Sequence, residues 1–405
     1  MQAKGEKRRG KAMNEAIENA LQTSSSDKDF RSGSSPAQPS ATELLERSQI
    51  MVHGRDLSSF SDPALPGARR QSLRGFDEDY TDIVDYIIRC THKIWEEKSI
   101  GLIYTHYSHN CPIYMTDATI YGREAVVEGT LKTLAAFPDA RLHGDEVIWS
   151  GNDVDGFHSS HRITWTARNT GYSAYGAPTN KRILRRGIAH CVVLENRIIE
   201  EWLVRDELAL VRQLGFDEIA LAKRMARADA IRNASSPVQV GAAEIDRLEG
   251  QLPPKLPAPS SDGFDVEDFV RSLFQEIWNW RLLSRVHAYY TASPTAFVST
   301  ARKLEGKGAY QHFVLTLLAA FPDAGVSVDH ICWIGSGSNV KIAVRWTLQG
   351  THVGTGWYSD PTGQRVKLMC ISHLELEAGR IAREYTVYDE FALLKQIHAP
   401  APGEL

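Results

Sequence analysis

No stretch of the 405 residues approaches the roughly 18–20 consecutive apolar residues that a membrane-spanning helix needs, so no such span is expected. Cysteine is scarce. The five cysteines (Cys90, Cys111, Cys191, Cys332, Cys370) are an odd number, widely spread, with no CxxC pair. That excludes a disulfide framework and suits free, buried thiols in a reducing cytoplasm, with no metal site expected. There is no excess of one charge either: 46 Lys and Arg face 50 Asp and Glu, for a net charge of −4. Neither a nucleic acid nor a membrane surface is an expected partner. The opening residues, MQAKGEKRRGKAMNEAIENALQ, are basic but lack the apolar core of a secretory signal.

What the chain does have is an internal echo. LKTLAAFPDA at 131–140 returns as LTLLAAFPDA at 315–324, so Phe137 and Phe321 lie 184 residues apart. Trp95 answers Trp278, and Trp149 answers Trp333. Pro178-Thr179 answers Pro361-Thr362, and Asp206-Glu207 answers Asp389-Glu390. Solenoid repeats run roughly 20–50 residues. Units this long are domains, each with its own core.

Composition divides the chain further. Residues 1–74 are rich in Ser, Pro, Gly and charge, bury too little apolar surface to offset ordering entropy, and are expected to be a disordered tail. Residues 75–231 form the first domain, 232–262 a Pro-rich linker around PPKLPAP, and 263–398 the second domain. Each domain opens with apolar residues at 3–4 spacing, predicting one helix over 79–104 and its counterpart over 266–290. A short strand, a Gly turn and a helix stopped by the Pro of FPDA follow. Four strand-like runs come next, near 143–150, 158–168, 182–195 and 198–205, and again near 326–334, 339–349, 365–376 and 381–388. A last helix begins at Asp206-Glu207 or Asp389-Glu390. Helices followed by antiparallel strands make an α+β domain, with an apolar cavity between sheet and helices as a natural ligand site.

The FPD string, the Trp-rich strand after it, GTHVG at 350–354, PTGQRV at 361–366 and EEWLVRDELALVRQLG at 200–215 resemble the SnoaL-like polyketide cyclase family of the nuclear transport factor 2 superfamily. The resemblance implies two tandem cone-shaped α+β barrels, each a curved antiparallel sheet wrapped around helices over a deep pocket that uses no cofactor. In such cyclases a pocket carboxylate takes a proton from carbon beside a carbonyl. The family's acid/base Asp follows the Trp of the last strand, a position held here by Leu203 and Thr386. Its two His positions are Glu201 and Ala189 in the first copy, Glu384 and Ser372 in the second. Single-domain relatives pair through the outer faces of their sheets. Two copies in one chain are expected to make that pair internally, as an intrachain pseudo-dimer that leaves further homo-oligomers open.

Glu201 is the leading candidate catalytic carboxylate. Strand alternation puts Glu201, Leu203 and Arg205 on one face, and the resemblance turns that face to the cavity. Glu384 holds the matching place in the second copy, where Tyr388 replaces Arg205. Asp206 and Asp389 precede the last helices, where Asp is a preferred N-cap, with a catalytic role as the alternative. In FHSSHRITW, His158 and Arg162 share one strand face and His161 takes the other. The second copy shows Asn339, Ile342 and Ala343 thereabouts, so this polar set is expected to mark the first copy as the working one, with Arg162 as oxyanion or carboxylate partner. Histidines three apart on a strand diverge, which argues against a metal. Trp95 and Tyr104 are expected as cavity wall, able to stack on a ligand ring. KRILRR at 181–186 reads as a solvated or interface face. The expected activity is carboxylate-assisted proton transfer on a small carbonyl or ring compound: an isomerase, cyclase, lyase or hydrolase. A ligand-sequestering protein and a scaffold with a purely structural second copy are the alternatives.

Overall fold

The computed structural model describes residues 39–52, 69–234, 264–358 and 360–400. Most of the expected linker and the residues 1–38 and 53–68 of the expected tail lie outside these.

Each copy is an α+β unit on one six-stranded sheet. The first copy opens with α2 (Ile83–Trp95), which follows α1 (Ala41–Gln49). Asp82 caps α2 by accepting from the Asp85 N–H at 2.9 Å, and its face of Ile83, Val84, Ile87 and Ile94 is buried. The helix predicted over 79–104 is broken. Lys98 takes a left-handed φ of +59°, and a 3₁₀ turn and the short α3 (Ile103–His106) complete the segment. The second copy breaks the same way at Arg281, also at φ +59°, between α7 (Val266–Leu273) with its π-helical extension and α8 (Val286–Tyr289). In both copies the basic side chain at the break donates to carbonyls of the FPDA turn: Lys98 to Pro138, and Arg281 to Pro322 and Ala324 at 2.8 and 3.0 Å. A left-handed residue ends a helix, and a cation on these carbonyls holds the reversal.

The strands of the first copy are β1 (Pro112–Tyr114), β2 (Thr119–Tyr121), β3 (Arg141–Asn152), β4 (Gly156–Arg168), β5 (Arg182–Leu194) and β6 (Arg197–Arg205). Their order is β2-β1-β6-β5-β4-β3, with α4 (Arg123–Ala136) leading into β3. The second copy repeats this order with β7 (Tyr290–Val298), β8 (Arg302–Glu305), α9 (Gly306–Ala320), β9 (Gly325–Ser336), β10 (Asn339–Thr351), β11 (Arg365–Glu377) and β12 (Arg380–Tyr388). The four long strands fall where the alternation pattern placed them. The sheets are curved but open rather than closed barrels. They are also mixed, because β1 runs parallel to β6 and β7 parallel to β12. Helix α5 (Glu207–Leu214) closes the first sheet and α10 (Glu390–Ile397) the second, each N-capped by its Asp, and α6 (Glu218–Ala234) packs on α10.

Part of the segment expected to be disordered is ordered. Helix α1 leads into Ile50 and Val52, which are buried with Leu73 against Trp149, whose indole N–H donates to the Ile50 carbonyl at 2.9 Å. Arg47 lies over the Trp333 ring at 4.8 Å. Three buried apolar anchors, Ile50, Val52 and Leu73, supply what the polar composition concealed.

The outer faces of the two sheets meet. Ile188 and Val204 pack on Met369, Ile371 and Val387. Arg162 stacks on the ring of Tyr385 at 3.4 Å, and Arg345 stacks on Trp202 at 3.7 Å. Arg162 and Arg345 are 183 residues apart, as are Trp202 and Tyr385. The two contacts are therefore one contact made twice about an internal two-fold axis, the isologous pattern of a symmetric dimer. Arg162 thus has a counterpart, contrary to the sequence expectation. The turn between β3 and β4 is one residue longer than that between β9 and β10, which moves the spacing from 184 to 183.

Candidate functional site

Period-two alternation divides every strand of the first sheet into two sets. The outer set makes the contact just described. The inner set faces α2 and α4 across a cavity of about 250 Å³. Its wall includes Trp95, Tyr107, His161, Arg185, Glu201 and Arg205.

Glu201, the middle of β6, is the one carboxylate on this wall. The Tyr107 hydroxyl, from the residue after α3, donates to its Oε2 at 3.2 Å. Burial pushes the Glu201 carboxyl up to about 7, against the lowering effects of the Tyr107 hydrogen bond and the nearby Arg205. Cys90, Cys191 and Ile198 also line the cavity, so apolar atoms and sulfur stand on the wall that carries the carboxyl. Such a group exchanges its proton near neutral pH, the range in which a general base is most effective.

His161 projects from β4 into the same space. It is buried, its Nε2 has no hydrogen-bond partner among the described residues, and burial pushes it down to about 4, so the ring is neutral at pH 7. Gly144 makes room for it, since a Cβ there would lie 2.8 Å from that Nε2.

At the other end of the cavity Glu207 gathers two arginines. It accepts from Arg185 Nη1 at 2.9 Å, pairs with Arg205 Nε at 3.0 Å, and accepts from the Tyr175 hydroxyl at 2.5 Å. Arg185 also stacks on Trp165 at 4.3 Å. Two guanidinium groups share this carboxylate, and Asp389 and Asp117 also act on Arg205. Among the described residues, Arg205 Nη2 reaches the weak acceptor Met115 Sδ, at 3.8 Å.

The cavity brings together Glu201, Arg205, His161 and Trp95 from the sequence-predicted set. It does not include the others. Arg162 and His158 lie on the outer face, in the contact between copies. Tyr104 is 45% exposed, with the Arg123 guanidinium over its ring, because the helix break turns it outward. Asp206 caps α5 through the Ala209 N–H at 3.3 Å and also accepts from Thr300 N–H of the second copy at 2.8 Å. Burial pushes Asp206 up to about 6, against those backbone donors. The catalytic expectation for Arg162 and the ligand-contact expectation for His158 and Tyr104 are therefore corrected, while Asp206 takes the N-cap place expected first rather than the catalytic alternative. Arg185 and Arg186, within the stretch read as a solvated or interface face, line the cavity, and Arg186 also lies over the Phe297 ring of the second copy at 5.4 Å. Tyr107 as the Glu201 partner was missed too; no pattern in the sequence links residues 94 apart.

The second copy treats the same positions differently. Gly129, Val126 and Ile163 correspond to Phe313, Tyr310 and Trp346, and these large rings are buried. Trp278 packs against Phe313 and Trp346, with centroids 6.4 and 5.3 Å apart. Glu384 is enclosed. Its Oε2 accepts from Tyr290 at 2.6 Å and its Oε1 from Thr386 at 2.6 Å, and Ser372 links Thr386 to the Trp346 indole. Tyr388 is buried in the same apolar core, and Asp389 caps α10 through the Ala392 N–H at 2.9 Å. Glu384, Tyr388 and Asp389 read here as packing, hydrogen-bonding and capping groups rather than as ligand contacts.

Comparison with known proteins agrees with the duplicated architecture. The family model for SnoaL-like polyketide cyclase matches residues 86–214 and again 269–397, together more than half of the chain. Similar solved structures include a protein from Jannaschia sp. CCS1 assigned as a SnoaL-like polyketide cyclase, with 21% identity over 36% of this chain and 99% of that one, TM-score 0.31. Another is a protein from Acidithiobacillus ferrooxidans assigned as a polyketide cyclase, with 18% identity over 35% of this chain and 100% of that one, TM-score 0.30. A third, IdmH from Streptomyces antibioticus, also assigned as a polyketide cyclase, has 19% identity over 32% of this chain and 96% of its own, TM-score 0.28. No curated protein sequence matches. The family assignment rests on the two matches to the family model.

Proposed function

Since this chain belongs to the SnoaL-like polyketide cyclase family and carries its domain twice, we propose that the first copy is the working one, a proton-transfer catalyst with Glu201 as its base. The substrate class is a small carbonyl or ring compound that fits a cavity of about 250 Å³. The observation that carries this reading is the Glu201 carboxyl, buried on the cavity wall and pushed up to about 7. As a carboxylate it takes a proton from carbon beside a carbonyl, and as the acid it returns one elsewhere. That sequence gives isomerisation, or closure of a ring if the enolate attacks a second carbonyl. The developing oxygen charge needs a donor, and a dry site makes that donor worth several kcal/mol, about 3 by typical magnitudes. Arg205 Nη2 and a His161 tautomer with the proton on Nε2 are the groups on this wall that can supply it.

Proton exchange tests this directly. A panel of cyclic ketones and β-dicarbonyl compounds is incubated with the protein in D₂O, and deuterium at the carbon beside the carbonyl is followed by NMR. The expected result is catalysed exchange on at least one compound that Glu201→Gln abolishes while ligand binding persists. Exchange by Glu201→Gln at the rate of the original chain would overturn the assignment.

A second reading is favoured by Leu203 and Ala189, which stand on the cavity wall where the family places acid/base Asp and His. On this reading the cavity sequesters a ligand without turning it over. It predicts saturable binding with exchange no faster than in buffer.

A further inference from the structure

The two-fold relation between the copies brings each outer-face residue opposite a mate, and the mates have diverged unevenly. On one side of the axis the polar groups are paired. The Glu146 carboxylate holds Lys341 Nζ, and the Ser160 hydroxyl meets His373 Nε2 at 2.8 Å. On the other side the symmetry-related positions are His330 for Glu146, His158 for Lys341, Ala343 for Ser160 and His190 for His373. An ion pair has become two histidines, and a hydroxyl partner has become a methyl group.

Three imidazoles therefore converge between the sheets. The His158 and His330 rings are stacked with centroids 4.3 Å apart, and the His190 ring lies 4.7 Å from His330 and 6.0 Å from His158. One nitrogen from each lies within 4.8 Å of the others. His190 is fully buried, and neither of its nitrogens has a hydrogen-bond partner among the described residues. The Nδ1 atoms of His158 and His330 are likewise buried and unpartnered. Leaving such buried groups unpartnered is costly, so the space between them favours an occupant that accepts their lone pairs.

We propose that His158, His190 and His330 form a binding site for one first-row divalent transition-metal ion, such as Zn²⁺, that bridges the two copies. Three imidazole ligands suit this class of metal, with water in the fourth position. Tetrahedral coordination at about 2.0–2.1 Å places ligand nitrogens about 3.4 Å apart, so small ring rotations close the set. Arg345 is the one opposing charge. It is held over the Trp202 ring at 3.7 Å. The site lies on the outer face of the sheet, behind the Glu201 wall, and is independent of the proposed chemistry there.

The test uses the untagged full chain, stripped with a chelator and titrated with Zn²⁺ and with Co²⁺. Metal content after desalting and the visible absorption of bound Co²⁺ are read. The expected result is one ion per chain, with the intense bands of a low-coordinate Co²⁺ site and a raised melting temperature. His158→Gln and His330→Gln, both at half-buried positions, should each weaken binding by more than the roughly 10–100-fold that loss of an outer-shell group costs. His109→Gln, on the exposed surface, should leave it unchanged. No retained ion in the original chain would overturn the proposal and leave the triad to an ordered water. Unaltered binding in both interface variants would overturn it as well. If either variant fails to fold, stoichiometry and the Co²⁺ spectrum of the original chain still decide.

Discussion

Replacing Glu201 with Gln removes a titration and leaves the shape of the site nearly unchanged, since the amide carbonyl still accepts from the Tyr107 hydroxyl. The carboxyl rises from 4.5 to about 7 because it is buried. At about 1.4 kcal/mol per pH unit, the difference is worth about 3 kcal/mol. The sign follows from which state loses its proton first. Below pH 4.5 both the folded and the unfolded chain hold the proton, and the carboxyl costs nothing. From there to about pH 7 the unfolded chain releases it while the folded chain keeps it, so stability falls as pH rises. Above about pH 7 both are ionised and the full cost is present. Urea unfolding of the original chain and of Glu201→Gln across this range isolates the effect. Asp206, Glu384 and Asp389 are also raised by burial, but they are common to both chains and cancel. The variant should match the original near pH 4.5 and exceed it by about 3 kcal/mol above pH 7. A difference that does not change with pH, or one of opposite sign, would refute the buried, high-affinity carboxyl. This test needs no substrate, so it separates the state of Glu201 from the identity of the ligand.

Three further outcomes follow from the geometry. Arg162→Ala and Arg345→Ala should each lose about 2 kcal/mol in chemical denaturation, since each removes a desolvated cation–π contact between the copies; losses below about 0.5 kcal/mol in both would mean the stacking is incidental. Gly144→Ala places a Cβ 2.8 Å from His161 Nε2 and must displace that ring; ligand affinity in the cavity should change while the pH dependence assigned to Glu201 stays, and unaltered affinity would remove His161 from the site. Gly171 and Gly354 are equivalents whose added Cβ would meet the Ala135 and Ala319 carbonyl oxygens at 2.0 and 1.8 Å; alanine at either should cost about 3 kcal/mol or more, and a mild effect at one alone would show that its loop is free to move.

Much of this was legible in the chain because strands and faces follow local rules. Alternation on β6 placed Glu201 and Arg205 together, and alternation on β4 separated His161 from Arg162. Choosing between those two faces was the harder step. Charge suggested Arg162, but an arginine is as well used against an aromatic ring across an interface as in a cavity. The equivalence of Arg162 and Arg345 was hidden by a single residue in a hairpin. Tyr104 misled because the periodicity continues through Lys98, and a left-handed residue leaves no mark in an apolar pattern. Tyr107 reaching Glu201 depends on a parallel pairing at the sheet edge, which no local rule specifies. The ordered Ile50, Val52 and Leu73 were masked by their polar neighbours.

The two glutamates show how one duplicated position came to do two things. Glu201 and Glu384 both sit in the middle of their last strand, both are buried, and in both burial raises the carboxyl. Around Glu384, Tyr290 and Thr386 occupy both oxygens, and large rings fill the space beyond. A buried carboxyl that accepts at both oxygens, with large rings packed beyond it, is a structural element. Around Glu201 the ring positions shrink to Gly129, Val126 and Ile163, Thr386 is replaced by Leu203, and Tyr107 alone is left to bond it. Glu201, raised by the same burial, instead lines the cavity. What separates a packing residue from a candidate base is the volume and bonding of its neighbours. The second copy, with large rings in its core, meets the outer face of the sheet bearing Glu201.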